Sequence, residues 1–263
     1  GPRRAAKTGG RPSGGGRLLF PLPARRVRPI VASMPIDDES VDPGLLRERV
    51  YGKLKDLLNA GRLKPGAFLD LTAIGRELGL SRTPLRDALI RLEIEGFVRI
   101  YPRRGVMVRS LDLQTIKNVY ELIGALESAV IAGLKGKYGP EDSARMAALN
   151  AEAGEALARD DFSAYYAANL EFHRVYLGLS DNAELVRSVN ILKERLYDFP
   201  RRTGFVKEWE VASVREHGEL IGRLDRGDFA GAAAFVREVH WSYESQERFI
   251  KRYYSDGPGS RAP

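Results

Sequence analysis

Three histidines are the residues best suited to chemistry in this 263-residue chain. They are His173, His217 and His240, and the sequence contains no others. Each continues an apolar stripe at helical spacing, so we expect each to point into the interior from a different helix. Imidazole nitrogens bind Zn, Ni, Cu or Fe, and three of them converging in one bundle would form a divalent-metal site.

A fourth donor is available on the helix that carries His173. Asn169 lies one turn before that histidine, on the same face. Its neutral amide oxygen attracts a hard cation less strongly than a carboxylate does, which makes it a weak ligand. The alternative is that all three histidines are hydrogen-bonded core residues, and the sequence favours neither interpretation. In both cases the interior is a candidate site for an organic effector.

A second set of candidates lies at the start of the segment SRTPLRDALIRLEIEGF, residues 81–97. The segment has a helical apolar rhythm, yet it opens with polar and basic residues. Ser81 is expected to cap the helix through its hydroxyl, and Pro84 is acceptable in the first turn. The outward-facing candidates are Ser81, Arg82, Thr83 and Arg86. The buried side is expected to comprise Leu85, Leu89, Leu92 and Ile94.

The elements around this segment predict a winged helix-turn-helix. Helical patterns at about 45–59 and 71–78 precede it. FVRIYPRRGVMVRS then predicts two strands, Phe97–Tyr101 and Val106–Arg109. The turn between them contains Arg103, Arg104 and Gly105. In this fold the third helix presents its N-terminal end to the major groove, where arginine reaches guanine edges or phosphates.

The distribution of charge supports a polyanion-binding module. Of the net charge of +7, residues 41–110 contribute 14 Lys/Arg against 8 Asp/Glu, whereas residues 111–263 hold 20 against 24. A basic part joined to an acidic part suggests two modules with different tasks. The alternative is a basic surface that serves only solubility.

The remainder of the chain predicts an all-α bundle, so the expected fold class is mainly α. Residues 41–110 form the winged helix-turn-helix, and residues 111–256 form an effector-binding and dimerisation domain of six helices. The helices are expected at about 112–136, 141–158, 161–179, 182–198, 207–225 and 228–254. Residues 1–40 are expected to be a disordered basic tail, with Met34 as the natural start after foreign sequence, and residues 257–263 a flexible C-terminus.

Two absences narrow the class of protein. The sequence has no cysteine, so disulfides and thiolate metal sites are excluded. No apolar run approaches the roughly 18 residues that a membrane span needs. We expect a cytoplasmic protein without a membrane partner.

The residues also resemble a known family. GRLKPGAFLDLTAIGRELGLSRTPLRDALIRLEIEGFVRIYPRRGVMV is similar to the DNA-binding domain of the GntR family of bacterial transcription regulators. NLEFHRVYLGLSDNAEL and EHGELIGRLDRGDFAGAA resemble FCD, the ligand-binding domain of the FadR subfamily. The resemblance implies operator contacts from Arg82, Thr83 and Arg86, with Ser81 beside them. It also implies a wing tip that enters the minor groove, formed by Arg103, Arg104 and Gly105.

The FCD domain commonly holds a divalent metal through one aspartate and three histidines, which implies that role for the three histidines here. The sequence departs from this pattern in three places. Asn169 replaces the aspartate, and His240 falls one residue late, with Val239 at the expected position. Ile123 stands where an arginine often holds a carboxylate effector.

Together these features predict a sequence-specific transcription regulator. We expect an effector-responsive repressor that binds operator DNA as a homodimer, with a small-molecule effector such as a carboxylate and one divalent metal such as Zn or Ni. The alternative is a metal-dependent enzyme built on the three histidines, but no acid/base pair near them identifies a mechanism, and the glycines of GRPSGGG lie in the tail. The third interpretation is a non-specific architectural DNA binder, but it leaves the acidic helical domain without a function.

Overall fold

The computed structural model describes residues 43–59, 62–79, 81–197 and 206–254. The predicted tail, 1–40, and the predicted C-terminus, 257–263, lie outside these residues. The described part is mostly helical and combines a winged helix-turn-helix with a helical bundle, which confirms the predicted fold class. Within these ranges no helix is both long and apolar enough to cross a bilayer.

Three helices and a hairpin build the N-terminal part. They are α1 (Pro43–Asn59), α2 (Leu71–Leu78), α3 (Arg82–Ile94), β1 (Val98–Tyr101) and β2 (Gly105–Val108). The strands are antiparallel, with Val98 opposite Val108 and Tyr101 opposite Gly105. Asp70 caps α2 by accepting a hydrogen bond from Ala73 N–H, and Gly79 ends it in the left-handed conformation at φ 63°. Apolar side chains from the three helices and both strands form one core.

Two expectations for α3 were wrong. Ser81 occupies the N-cap position, but its side chain makes no capping hydrogen bond. An N-cap hydroxyl accepts from the second or third helical amide, and the third helical residue is Pro84, which has no N–H. Ile94 is 80% exposed rather than buried, because it lies nine residues after Leu85 and therefore about half a turn away around the helix.

The C-terminal part is a bundle around α4. Its helices are α4 (Leu113–Ala132), α5 (Pro140–Ala158), α6 (Phe162–Leu177), α7 (Ala183–Tyr197), α8 (Lys207–Asp225), α9 (Phe229–Phe235) and α10 (Tyr243–Tyr254). Asp112, Asp161 and Asp228 cap α4, α6 and α9 by accepting backbone N–H groups. α4 packs against α6, α7, α9 and α10, so its buried face forms the centre of the bundle.

The predicted helix 228–254 is not continuous. A π-helical turn, Val236–His240, follows α9 directly and ends before α10. Its i→i+5 pattern includes the hydrogen bond from Trp241 N–H to the Val236 carbonyl, at 2.8 Å. A π turn contains one more residue than an α turn, so it rotates the residues that follow relative to the helix face. The extra residue before His240 is taken up by this turn.

Trp241 packs closely on α4 at a glycine. A Cβ on Gly124 would lie 3.1 Å from the Cβ of Trp241, closer than most real contacts of this kind. The indole also meets the ring of Tyr120 edge-on, with centroids 5.3 Å apart. The small residue thus lets the end of the π turn approach the central helix.

Candidate functional site

The N-terminal end of α3 is exposed, as a DNA-reading surface requires. Thr83 and Arg86 face solvent, and Arg86 forms no ion pair with another residue that the structure describes. Two acidic residues of the same helix, Asp87 and Glu93, have partners of their own. Asp87 lies 3.7 Å from Arg47, and Glu93 accepts a hydrogen bond from the Ile100 backbone N–H at 2.7 Å. The helix begins at Arg82, whose side chain lies outside the described part.

The wing tip presents two further guanidinium groups. Arg103 and Arg104 are exposed, in a turn closed by the hydrogen bond from Arg104 N–H to the Tyr101 carbonyl, at 3.0 Å. Arg103 has φ 64°, a left-handed conformation that glycine and asparagine adopt more easily. Gly105 follows at φ 111°, where a side chain would be strained. The chain thus holds an arginine at the tip at a conformational cost of about 1 kcal/mol.

Helix α3 and the wing share one surface. A groove of about 750 Å³ separates α2 and α3 from the wing, and Arg86, Arg103 and Gly105 line it. Arg76 of α2 lines the same groove and was missed in the sequence, because its position beside the wing depends on the fold. Arg86, Arg103 and Gly105, three of the predicted DNA-binding residues, therefore meet on one cationic face.

Arg91 belongs to the scaffold instead. Its guanidinium contacts Glu48 at 2.6 Å and Glu95 at 3.1 Å, and it lies 3.7 Å from the ring centroid of Tyr51. These contacts join α3 to α1. This arginine therefore holds the orientation of α3 and is not available to DNA.

The three histidines do converge. One ring nitrogen of each lies within 4.8 Å of the others, although they come from α6, α8 and the π turn. His173 and His217 are only 3% and 1% exposed, and His240 is half-buried. The ring of Phe172 stacks on His217 with centroids 3.9 Å apart, which limits the freedom of that imidazole.

Every histidine uses Nδ1 for a contact with an oxygen outside the cluster. The contacts are His173 to Tyr176 Oη (2.5 Å), His217 to Asn150 Oδ1 (3.2 Å) and His240 to Glu216 Oε2 (2.7 Å). The amide and carboxylate oxygens that face His217 and His240 can only accept, so Nδ1 carries the proton in these two imidazoles. Metal-binding histidines usually show this arrangement, with the other nitrogen donating to an orienting group.

Asn169 offers a further oxygen. It is 6% exposed, and its Oδ1 has no hydrogen-bond partner among the described residues. An unsatisfied buried acceptor costs about 1–3 kcal/mol, which a cation would relieve. Three converging imidazoles and one unpartnered amide oxygen are a donor set that fits a borderline divalent metal, although the Ser213 hydroxyl lies 3.5 Å from His217 Nε2.

Burial keeps two of the imidazoles neutral. It lowers the pKa of His173 to about 3, with the charge of Lys193 acting in the same direction. It also lowers the pKa of His217 well below the ordinary value. Neutral imidazole is the form that binds a metal.

A buried ion pair that was not predicted from the sequence lies beside the cluster. Glu127 Oε1 lies 2.5 Å from Lys193 Nζ, and both side chains are buried. Burial raises the pKa of Glu127, but Lys193 and His173 lower it by more, so this pKa lies below its usual value. A signal was present in the sequence, because Glu127 follows Ile123 by one turn on an apolar stripe, and Lys193 follows Val189 in the same way.

The depressed pKa values predict how stability depends on pH in the metal-free protein. The unfolded chain binds protons at histidine below about pH 6.5, whereas the folded chain does not until the pH is far lower. The free energy of unfolding should therefore fall as the pH drops below about 6.5, by up to about 1.4 kcal/mol per pH unit for each buried histidine. Above that pH their contribution should be constant.

Urea denaturation of the metal-free protein at several pH values between about 5 and 7.5 tests this. His217→Gln retains every carboxylate and removes one of the buried imidazoles, so its free energy should fall less steeply with decreasing pH. Equal slopes for the variant and the wild type would contradict the expectation.

Comparisons with known proteins agree with this geometry. Residues 46–108 match the family described as bacterial regulatory proteins, gntR family, and residues 118–240 match the FCD domain. An uncharacterized HTH-type transcriptional regulator in the TAR-I ttuE-ttuC' intergenic region of Agrobacterium vitis is 34% identical over 127 residues, which cover 47% of this chain and 74% of that protein. The HTH-type transcriptional regulator McbR of Escherichia coli is 27% identical over 195 residues, 73% of this chain and 87% of that one.

A solved structure shows the same fold. E. coli McbR/YncC superposes with a TM-score of 0.61 at 22% identity, covering 82% of this chain and 99% of that one. The relatives are transcription regulators and not enzymes, so the metal-dependent enzyme is not retained. The chain belongs to the GntR family of bacterial regulatory proteins and is a DNA-binding transcription regulator with an FCD domain.

Proposed function

We propose that this regulator is a repressor that reads a specific operator as a homodimer and releases it in response to a small effector. The observation that carries the proposal is the cationic face shared by α3 and the wing, on which Arg86 and Arg103 line one groove. A dimer would place two such faces on half-sites about one helical turn apart. Because its partner is operator DNA, the protein would act in the bacterial cytoplasm.

The face divides into reading and anchoring groups. Arg86, one turn into α3, is suited to a bidentate contact with guanine O6 and N7 in the major groove. Thr83 and Ser81 offer exposed hydroxyls for phosphates, and the Ser81 hydroxyl is not engaged in capping. Arg103 and Arg104 would enter the minor groove, where the negative potential attracts guanidinium groups. For Arg82, we propose a DNA contact only because it is the first residue of α3.

The bundle would supply the response. We propose that His173, His217 and His240 hold one divalent metal such as Zn or Ni, with Asn169 as the weak fourth ligand. Bound there, the metal would act as a Lewis acid that attracts the carboxylate of an effector. Asn150 and Glu216 would orient two of the imidazoles through Nδ1.

A cavity beside the cluster has room for a small effector. Its volume is about 230 Å³, and His173 and Lys193 both line it. Arg174, Asn190 and Glu194 line it too, so it offers two cationic side chains, one carboxylate and one amide. These groups favour an anionic ligand of small size over an apolar one.

DNA affinity should depend on Arg86. If it reads a base, Arg86→Ala should weaken operator binding by about 1–3 kcal/mol and relax base preference, whereas loss of a phosphate contact would reduce the salt slope. Fluorescence anisotropy at several salt concentrations, with the DNA upstream of the gene and a random duplex, measures both. Arg145→Ala on α5 removes the same charge outside the face and should leave affinity unchanged. No preference of the wild type for its own upstream DNA would refute specific regulation.

A substitution at Arg103 in the wing tip should raise the stability of the fold and lower its affinity for DNA. Arg103→Asn should raise the free energy of unfolding by about 0.5–1 kcal/mol, because asparagine tolerates the left-handed conformation, while DNA binding weakens. Arg104→Asn is the matched control, since it removes the same charge without relieving a positive φ. Urea denaturation and anisotropy on both variants give the two quantities. A fold that Arg103→Asn does not stabilise would contradict the strain argument.

Metal binding has its own test. Zn²⁺ at 100 times its dissociation constant should stabilise the protein by about 2.7 kcal/mol, seen as a higher Tm, and native mass spectrometry should show one ion per chain. His240→Gln should abolish both effects, since it removes the half-buried ligand without opening a large cavity. An unchanged Tm and no bound ion in the wild type would rule out the metal centre while leaving the DNA-binding function intact.

A further inference from the structure

Glu127 lies where four helical elements meet. Its Oε2 accepts hydrogen bonds from Tyr176 Oη at 2.5 Å and from Trp241 Nε1 at 2.7 Å. Its Oε1 lies 2.5 Å from Lys193 Nζ. The carboxylate, on α4, is fully buried and thereby joins α6, α7 and the end of the π turn.

Two of its partners lead to metal-ligand candidates. Tyr176 lies one turn after His173 on α6, and its hydroxyl contacts His173 Nδ1 at 2.5 Å. Trp241 directly follows His240, and its backbone N–H donates the closing hydrogen bond of the π turn to the Val236 carbonyl. One carboxylate therefore acts on His173 through the Tyr176 hydroxyl, while its Oε2 also lies 3.5 Å from His173 Nδ1, and it acts on the turn that carries His240 through Trp241.

The direction of these hydrogen bonds is fixed by the carboxylate. An ionised carboxylate only accepts, so Tyr176 donates its proton to Glu127 and can only accept from His173. His173 must then carry its proton on Nδ1, which leaves Nε2 for a ligand role. The Lys193 ammonium group beside Glu127 stabilises the ionised form.

We propose that Glu127 is the positioning residue of the three-histidine site. It holds His173 in the Nδ1–H tautomer through Tyr176, and it holds the turn that carries His240 through Trp241. The ligands are thereby aimed before a metal arrives. This inference rests on the proposed metal centre and assigns to Glu127 the orienting role that Glu216 and Asn150 perform by direct contact.

Packing alone gives a weaker account of this cluster. A buried ion pair loses several kcal/mol of hydration per ion, and apolar side chains of similar volume usually stabilise a core as well or better. Directional hydrogen bonds to metal ligands provide what apolar side chains do not. Groups that orient metal ligands in this way typically contribute 10–100-fold to metal affinity.

The decisive variant is Tyr176→Phe, which breaks the relay to His173 and leaves no new buried charge. It should weaken Zn²⁺ binding by about 10–100-fold in competition with a chromophoric chelator. The visible spectrum of the Co²⁺ form should also change, since a rotated imidazole alters the ligand field. Tyr138→Phe is the matched control: it removes a hydroxyl that contacts Asp225 at 3.2 Å, and it should bind Zn²⁺ within about twofold of the wild type.

A double-mutant cycle separates positioning from general destabilisation. Glu127→Gln together with Lys193→Met removes the ion pair without leaving one charge unpaired, and it should weaken Zn²⁺ binding in the same range. Adding Tyr176→Phe to that pair should cause little further loss, because both changes interrupt one relay. Additive losses would show that Tyr176 acts independently of Glu127 and would overturn the proposal.

The remaining outcomes are equally distinct. If the wild type binds Zn²⁺ and Tyr176→Phe binds it equally well with an unchanged Co²⁺ spectrum, the positioning role is wrong and the metal centre stands. If the wild type binds no Zn²⁺, both fall. Should the triple variant not fold, Tyr176→Phe alone decides, since it removes a single hydroxyl.

Discussion

A carboxylate taken out of water must be surrounded by donors, and this requirement organises the bundle. Glu127 satisfies it with hydrogen bonds from Tyr176 of α6 and Trp241 at the end of the π turn, and with an ion pair to Lys193 of α7. Because hydrogen bonds are short and directional, those elements cannot slide along α4 without leaving a buried charge unpaired. Apolar contacts would tolerate such sliding. The carboxylate thus sets the register of α6 and of the π turn, which carry His173 and His240.

The DNA-binding half could be predicted from sequence because its signals are local. Gly79 ends α2 in the conformation that only glycine adopts easily, and the apolar period of α3 shows which side is buried. The turn that contains Arg103, Arg104 and Gly105 predicted the hairpin. The two wrong predictions for α3 also have local causes. Pro84 lacks the backbone N–H that the Ser81 hydroxyl was expected to accept from. Ile94 was assigned to the buried stripe although its spacing from Leu85 places it on the other side of the helix.

The bundle was harder to predict because its site is assembled from distant segments. The convergence of the histidines could be expected, since each lay on an apolar stripe. The partners could not, because Glu127 and Lys193 are 66 positions apart and nothing local pairs them. The only sign of the π turn in the sequence was the one-residue offset at His240. That offset does not by itself show whether the backbone forms a π turn there.

The two halves touch through α7 as well as through the chain between β2 and α4. Lys193 faces the bundle interior, whereas the next residue, Glu194, forms an ion pair with Lys55 of α1. Arg195 lies against Gly96, where a Cβ would come within 2.9 Å of its guanidinium carbon. One helix therefore lines the cavity beside His173 and also contacts the DNA-binding domain.

The energies of these contacts limit how strongly the bundle can influence the DNA-binding domain. Regulation needs a coupling free energy of about 1–3 kcal/mol. Glu194 is 41% exposed, and an ion pair with one exposed partner contributes about 1 kcal/mol at most. That pair alone is too weak, so the coupling requires packing that changes as a unit. The close contact of Arg195 with Gly96 meets that requirement, because close-packed groups shift together rather than deform.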